Sequence, residues 1–161
     1  MIGNKINCLK NFGHMQLNYG ATHCESLNAK QILPRSRQES DDLVSALLSL
    51  NLDLENGNVR VSIDIHKTKE GEWHDSAGQP ISYFNWLPDE PDDLSGNRNF
   101  AGFQIDKVNR SAKWADYSSA DELNVVCTNI AGQGENNRLK NNWEQSIDLH
   151  GVITELSVQQ L

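Results

Sequence analysis

The stretch of sequence that decides the fold is residues 73–127, WHDSAGQPISYFNWLPDEPDDLSGNRNFAGFQIDKVNRSAKWADYSSADELNVVC. It contains the triplet Glu90-Pro91-Asp92 and, further on, the triplet Trp114-Ala115-Asp116. An apolar run then ends at Cys127. Short apolar or aromatic runs bounded by turn residues are typical of strands. We therefore predict strands at 82–86, 100–106, 113–117 and 123–127.

The region before this stretch is predicted to hold two helices. A short helix is expected at 21–27. A second is expected at 36–50, because Ser36 and Glu39 form a capping-box pattern and apolar residues then recur at helical spacing. Strands are predicted around these helices, at 14–19 and 59–65, the latter half-buried because its apolar and polar residues alternate.

The composition and charge bound the class of protein. With 161 residues, 37% of them hydrophobic and 22% charged, the chain is long enough for one soluble domain with its own core. Its net charge is −8 and no basic stripe is present, which argues against nucleic-acid binding. No apolar stretch is long enough for a membrane helix, and no signal-peptide pattern is visible. The chain is therefore expected to be cytosolic or a piece of a longer protein, and we favour the piece.

The order Glu-Pro-Asp, Trp-x-Asp and Cys127 resembles the second half of a C-type lectin-like domain. The resemblance covers residues 8–127. It implies an α+β fold of the C-type lectin-like type, with two helices, antiparallel sheets and a long loop region, which residues 87–99 match. It places the domain at 1–127 and leaves 128–161 as a polar linker and a partly ordered tail. The tail could pack on the domain, pair with a neighbour or begin another module.

The chain has three cysteines, Cys8, Cys24 and Cys127. In the family, a cysteine on the first helix is bonded to one on the last strand, and Cys24 and Cys127 match these positions. Cys8 matches half of an N-terminal bridge for which the chain has no second cysteine. The alternative is that all three are buried thiols in a reducing compartment.

The resemblance also implies a calcium site in the loop. Glu90, Asp92 and Asp116 match calcium ligands of the family, Pro91 matches a proline that follows a cis peptide bond, and Asp93 is a further carboxylate nearby. Calcium prefers six to eight oxygen ligands, and its affinity rises with the number of carboxylates. The predicted metal ligands are therefore Glu90, Asp92, Asp116 and Asp93.

Two family ligand positions are changed. Ala115 lacks an oxygen, and Arg98 stands where the family has a glutamate. A shift of one residue would instead bring Asn97 or Asn99 to that position. Arg98 could also pair with Asp92 or Asp93 and replace the ion. The predicted ligand-binding residues are accordingly Glu90, Asp92, Arg98, Asn99 and Asp116.

Three functions are weighed. The first is an extracellular or cell-surface module that binds a carbohydrate or cell-surface glycoprotein weakly and in a calcium-dependent way, with calcium as its cofactor. The second is a calcium-independent domain of an adhesin or receptor that binds a protein or another ligand through the loop. The third, an enzyme, is disfavoured because no nucleophile, phosphate-binding or dinucleotide motif is present. Asn109-Arg110-Ser111 is an N-glycosylation triplet, usable if a eukaryote secretes the chain.

Overall fold

The fold combines two helices with one large sheet, in a computed structural model that describes residues 6–55, 57–93 and 95–130. No helix in these ranges is both long and apolar enough to cross a membrane. Residues 131–161 of the predicted linker and tail lie outside the described residues. The elements, in chain order, are β1 Ile6–Gln16, α1 Leu17–Ser26, β2 Lys30–Gln31, α2 Arg37–Leu47, β3 Leu54–Glu55, β4 Asn58–Lys67, β5 Trp73–His74, β6 Phe100–Asp106, β7 Ser111–Tyr117 and β8 Glu122–Ile130.

The five long strands follow the spatial order β1-β8-β4-β6-β7. Their pairings are antiparallel, as predicted, except that β4 and β8 run parallel where Val61 faces Asn124. This exception arises because β8 lies between β1 and β4 rather than beside β7, the strand before it in the chain. The sheet is therefore mixed, and the fold class is confirmed as α+β.

Helix α1 begins at Leu17, four residues before the predicted helix at 21–27. The chain turns into a helix at Leu17, so the predicted strand at 14–19 is wrong beyond Gln16. Leu17, Gly20 and Cys24 form its buried face. A β-carbon on Gly20 would lie 2.8 Å from the side-chain nitrogen of Gln31, so a larger residue there would require the Gln31 side chain to shift.

The predicted start of helix α2 is confirmed, with Ser36 as its N-cap. The Ser36 hydroxyl accepts a hydrogen bond from the Glu39 amide at 3.2 Å, while the Glu39 carboxylate accepts one from the Arg35 amide at 2.8 Å. The helix ends at Leu47 rather than at Leu50. Its buried face, Leu43, Val44 and Leu47, belongs to the main core, together with apolar residues of β4, β6 and β7 that include Val59, Val61, Ile63, Ile65, Phe103, Ile105 and Trp114.

Segment 82–86 does not form the predicted strand. Its backbone instead lies along β7: Trp114 donates to the Asn85 carbonyl and Leu87 donates to the Trp114 carbonyl, both at 2.8 Å. The indole of Trp86 packs edge-on against that of Trp114, with ring centroids 5.7 Å apart. The aromatic pattern therefore reflects packing against β7 rather than a strand of its own.

A disulfide bond and a set of hydrogen bonds made by Asn124 link segments that are distant in the sequence. Cys24 of α1 and Cys127 of β8 form the predicted disulfide, with the sulfurs 1.99 Å apart and both residues buried. The buried Asn124 amide donates to the carbonyls of Asp53 and Arg60 at 3.1 and 3.0 Å, and its oxygen accepts from the Asp53 amide. These contacts join β8 to β4 and to the segment before β3.

Candidate functional site

The loop after segment 82–86 brings three carboxylates together. The Glu90-Pro91 peptide bond is cis, as the resemblance implies. Glu90 and Asp92 flank Pro91, and β7 supplies Asp116 from the neighbouring strand. One carboxylate oxygen from each of Glu90, Asp92 and Asp116 lies within 4.8 Å of the other two. We call these three residues the carboxylate cluster.

Asp116 is the most enclosed member of the cluster. Its side chain has no exposed surface, and Oδ2 accepts a hydrogen bond from the Asp93 amide at 2.9 Å. Its own amide donates to Glu90 Oε2 at 3.2 Å. Asp116 Oδ1 is buried and has no hydrogen-bond partner among the described residues. A buried charged oxygen without a partner is costly unless a cation lies nearby.

Arg98 is that nearby cation. Its Nη1 lies 2.6 Å from Asp92 Oδ1 and 3.6 Å from Asp116 Oδ1, so the guanidinium faces the carboxylate cluster. Burial alone would lower the pKa of Arg98, but the charges of Asp92 and Asp116 raise that pKa above its ordinary value. Burial, together with the adjacent Asp116 and Asp92 carboxyls, raises the pKa of Glu90. Arg98, rather than Asn97 or Asn99, is thus the residue directed at the site.

Asp93 and Asn99 do not join the cluster. Asp93 Oδ2 forms an ion pair with Lys67 Nζ at 2.6 Å, and its Oδ1 accepts from the Arg98 amide at 2.8 Å. These contacts lower the pKa of Asp93, the Lys67 hydrogen bond most strongly. Asn99 is exposed and its carbonyl accepts from the Lys67 amide at 2.7 Å. Asn99 therefore lies at the rim of the site.

Lys67 is a site residue that sequence reasoning missed. It lies at the end of β4, and its Nζ is 5.6 Å from the centre of the Trp73 ring. Only the sheet brings it to Asp93, which is 26 positions further along the chain. No motif links the two residues, although the basic residue closing the apolar β4 pattern is a weak signal.

The residues present fit a cation only in part. Carboxylate oxygens suit a hard ion such as calcium, and the buried Asp116 Oδ1 leaves an acceptor atom unused. The buried Ala115 has no oxygen to offer, and Arg98 already contacts two of the three cluster members. Four carboxylates, those of the cluster and Asp93, face two basic groups, Arg98 and Lys67, so the local charge stays negative. The carboxylates that could hold an ion therefore include the two that Arg98 contacts.

The comparisons with known proteins agree with this fold. The family model of the lectin C-type domain matches residues 14–129, so the chain belongs to the C-type lectin domain family. "Salivary C-type lectin 2" of Aedes albopictus is 34% identical over 84 residues, which cover 50% of this chain and 56% of that protein. The chain therefore spans about half the length of this curated relative.

Two solved structures share the fold at low sequence identity. The carbohydrate-recognition domain of the mouse scavenger receptor C-type lectin is 20% identical with a TM-score of 0.61, over 76% of this chain and 89% of that one. The domain of murine dendritic cell inhibitory receptor 2, solved in complex with an N-glycan, is 17% identical with a TM-score of 0.61, over 76% of this chain and 90% of that one. The family is generally one of non-enzymatic recognition domains, and no enzyme family is indicated.

Proposed function

We propose that this chain is an extracellular recognition module that binds a carbohydrate at the carboxylate cluster, with calcium held weakly by Glu90, Asp92 and Asp116. The observation that carries the proposal is the close approach of these carboxylates, within 4.8 Å of one another. Asp116 Oδ1 supports it, because this buried oxygen accepts no hydrogen bond within the described residues and has Arg98 only at 3.6 Å, so a hard cation would satisfy it better. A role as a recognition module rather than an enzyme accords with the family.

The ligand chemistry follows from the donors and acceptors at the site. Calcium, when bound, would supply coordination positions for sugar hydroxyls. Ionised Glu90 and Asp92 can only accept hydrogen bonds, so the ligand has to donate to both. The exposed Asn99 amide at the rim can donate as well as accept. A polyhydroxylated ligand such as a glycan of a cell-surface glycoprotein meets these requirements, and the Glu-Pro-Asp triplet does not fix the sugar class.

The extracellular location rests on two observations. The bond between Cys24 and Cys127 is typical of proteins that fold in oxidising compartments. The relative from Aedes albopictus carries the name of a salivary lectin. Both support secretion or display at the cell surface for this chain.

The position of Arg98 favours a second candidate. Its guanidinium already neutralises Asp92 and lies beside Asp116, which is the electrostatic task an ion would perform. In this alternative the chain is a calcium-independent domain of an adhesin or receptor, and it binds a protein or another ligand through the same loop.

Calcium titration of the full chain by calorimetry, with glycan-array binding in the presence and absence of EDTA, separates the two candidates. With two family ligand positions altered, we expect a calcium Kd on the order of 0.1–1 mM, in the weak extracellular range. Asp116→Asn or Glu90→Gln should abolish both calcium heat and glycan binding. Asp89→Asn is the matched control, because Asp89 is exposed, adjoins Glu90 and has φ +65°, which asparagine tolerates. If wild type gives no calcium heat at millimolar concentration and EDTA leaves its binding unaltered, the calcium-dependent proposal fails and the second candidate becomes the better account.

A further inference from the structure

The β6–β7 turn carries a feature that the ligand site does not use. Asn109-Arg110-Ser111 is the one Asn-x-Ser/Thr triplet in the 161-residue sequence, and it spans the end of this turn and the first residue of β7. Residues 107–111 are all exposed, and Val108 is 90% exposed. We propose that Asn109 carries an N-linked glycan when the chain passes through a eukaryotic secretory pathway. This inference rests on the extracellular location proposed above, and not on the identity of the ligand.

The turn holds Asn109 Nδ2, the nitrogen that would receive the glycan, in a defined position. The Asp106 carboxylate accepts hydrogen bonds from the amides of Val108 and Asn109, at 2.9 and 3.0 Å, and from Asn109 Nδ2 at 2.6 Å. These donors, the Asn109 amide first, lower the pKa of Asp106. A side-chain amide nitrogen carries two hydrogens, so a sugar can replace one while the other still bonds to Asp106. The turn can therefore keep its geometry after modification.

The reaction requires a lipid-linked oligosaccharide diphosphate as donor. A bond forms between Asn109 Nδ2 and the anomeric carbon of the oligosaccharide, and the bond from that carbon to the diphosphate oxygen breaks. The lipid diphosphate leaves, and the amide nitrogen gives up one proton. The exposure of Asn109 and Ser111 meets the access that such a large donor needs.

The hairpin register places this glycan away from the ligand site. Asp106 faces Ser111 at the turn, whereas Ala101 faces Asp116 near the other end of the hairpin. Ser111 and Asp116 are five positions apart on β7, or about 17 Å at 3.4 Å per residue. A glycan on Asn109 would cover Val108 and leave the carboxylate cluster open.

The test is to secrete the full chain from human cells behind a signal peptide and to analyse it by intact mass and peptide mapping. We expect the wild type to carry a glycan that peptide-N-glycosidase F removes, with conversion of Asn109 to aspartate. Asn109→Gln and Ser111→Ala should each abolish the modification, and Ser111→Thr should retain it. Ser111→Ala leaves the Asn109–Asp106 contacts intact, so a folding defect in Asn109→Gln cannot decide the result. Asn97→Gln, at an exposed asparagine outside any triplet, is the matched control.

Secreted, folded wild type with an unmodified Asn109 would overturn the inference. So would a glycan that persists in Ser111→Ala. None of these measurements involves ligand binding, so they can fail while the proposed function stands, and the reverse also holds. Enzymatic removal of the glycan should leave calcium and glycan affinities unchanged if the turn is as remote from the cluster as the register indicates.

Discussion

Arg98 shows how a single side chain can change the chemistry of a carboxylate cluster. By the family resemblance it matches a ligand position that carries a carboxylate, and its Nη1 lies 2.6 Å from Asp92 Oδ1 and 3.6 Å from Asp116 Oδ1. Two unit charges about 4 Å apart interact by roughly 4 kcal/mol at an effective dielectric of 20. A cation held there opposes a divalent ion while it neutralises the carboxylates that the ion would use.

We expect Arg98→Glu to strengthen calcium binding. The change removes a repulsive charge and supplies a carboxylate. If about 1.4 kcal/mol of the Coulomb energy is recovered as binding free energy, the calcium Kd falls by about tenfold. Calorimetric titration measures the effect. Arg37→Glu is the matched control, because it makes the same change of charge on an arginine whose side chain is 89% exposed on α2. An unchanged Kd in Arg98→Glu would show that Arg98 does not compete with the ion.

At this scale the sequence predicted residue identities better than contacts. Glu90, Asp92 and Asp116 lie together as the family resemblance of the two triplets implies. Whether Arg98, Asn97 or Asn99 faces the cluster depends on the path of an irregular loop, which has no periodicity to read. The Lys67–Asp93 ion pair is harder still to predict from sequence, because it depends on where the end of β4 lies relative to that loop.

Among the elements, the turn after β5 depends on one acid. The buried Asp75 accepts hydrogen bonds from the amides of Ala77 and Gln79, at 3.0 and 2.8 Å, and forms an ion pair with Arg35. Burial opposes ionisation, but the Gln79 amide and the Arg35 guanidinium outweigh it and lower the pKa of Asp75 below its ordinary 3.8. The ionised carboxylate therefore stabilises the fold and links this turn to the segment before α2.

We expect Asp75→Ala to lower the free energy of unfolding at pH 7 by about 2 kcal/mol, the scale of hydrogen bonds to a charged group. A lowered folded-state pKa gives stability that is present above pH 3.8 and is lost as the pH falls through the folded-state value. The difference between wild type and variant should therefore shrink in acid. Urea unfolding across pH 2–7 checks this, with Asp41→Ala, whose side chain is 69% exposed, as the control expected to stay within about 0.5 kcal/mol. A difference that is independent of pH would contradict the assigned role of the charge.

The centre of the sheet depends on Gly102 of β6. A β-carbon there would lie 2.6 Å from Leu123 Cδ2 and 3.0 Å from the Val61 carbonyl oxygen. We expect Gly102→Ala to cost about 1–3 kcal/mol of stability, as overpacking of a tight core does. Thermal unfolding measures it, and Val108→Ala, at a position 90% exposed, is the control. A variant as stable as wild type would show that β6 and β8 can move apart.

The elements that sequence predicted well are those with a regular period or a local signal. The cap of α2 and the strand at 100–106 follow from such signals, and both lie where expected. The predictions for segment 82–86 and for the start of α1 were wrong, because tertiary contacts determine both conformations. The aromatic residues of segment 82–86 pack against β7, and the first residue of α1, Leu17, is buried against Tyr117 and Leu123.

For the whole molecule, the disulfide is the principal long-range covalent link. Cys24 and Cys127 are separated by 103 positions, and closing a loop of this length contributes roughly 4–5 kcal/mol in the chain-entropy model. We therefore expect reduction to lower the melting temperature by well over 10 °C, at the about 4–8 °C per kcal/mol typical of small domains. The protein is first reduced in denaturant and refolded in reductant, and scanning calorimetry then compares its melting temperature with that of the oxidised protein. Cys8→Ser is the control and should leave the melting temperature of the oxidised protein unchanged. A reduced protein as stable as the oxidised one would contradict the entropic role of the bond.

The β1–β8 pairing also sets how the domain would respond to mechanical load. Ile6 and Ile130 face each other at one end of this antiparallel pair, so tension applied through both chain ends acts across the strands. Hydrogen bonds perpendicular to antiparallel strands then break one after another at low force, as in a zipper. The 103 positions enclosed by the Cys24–Cys127 bond cannot be drawn out while that bond is intact. A domain anchored at one end and pulled at the other would thus lengthen only through the segments outside 24–127, and the carboxylate cluster would keep its arrangement while the strand ends separate.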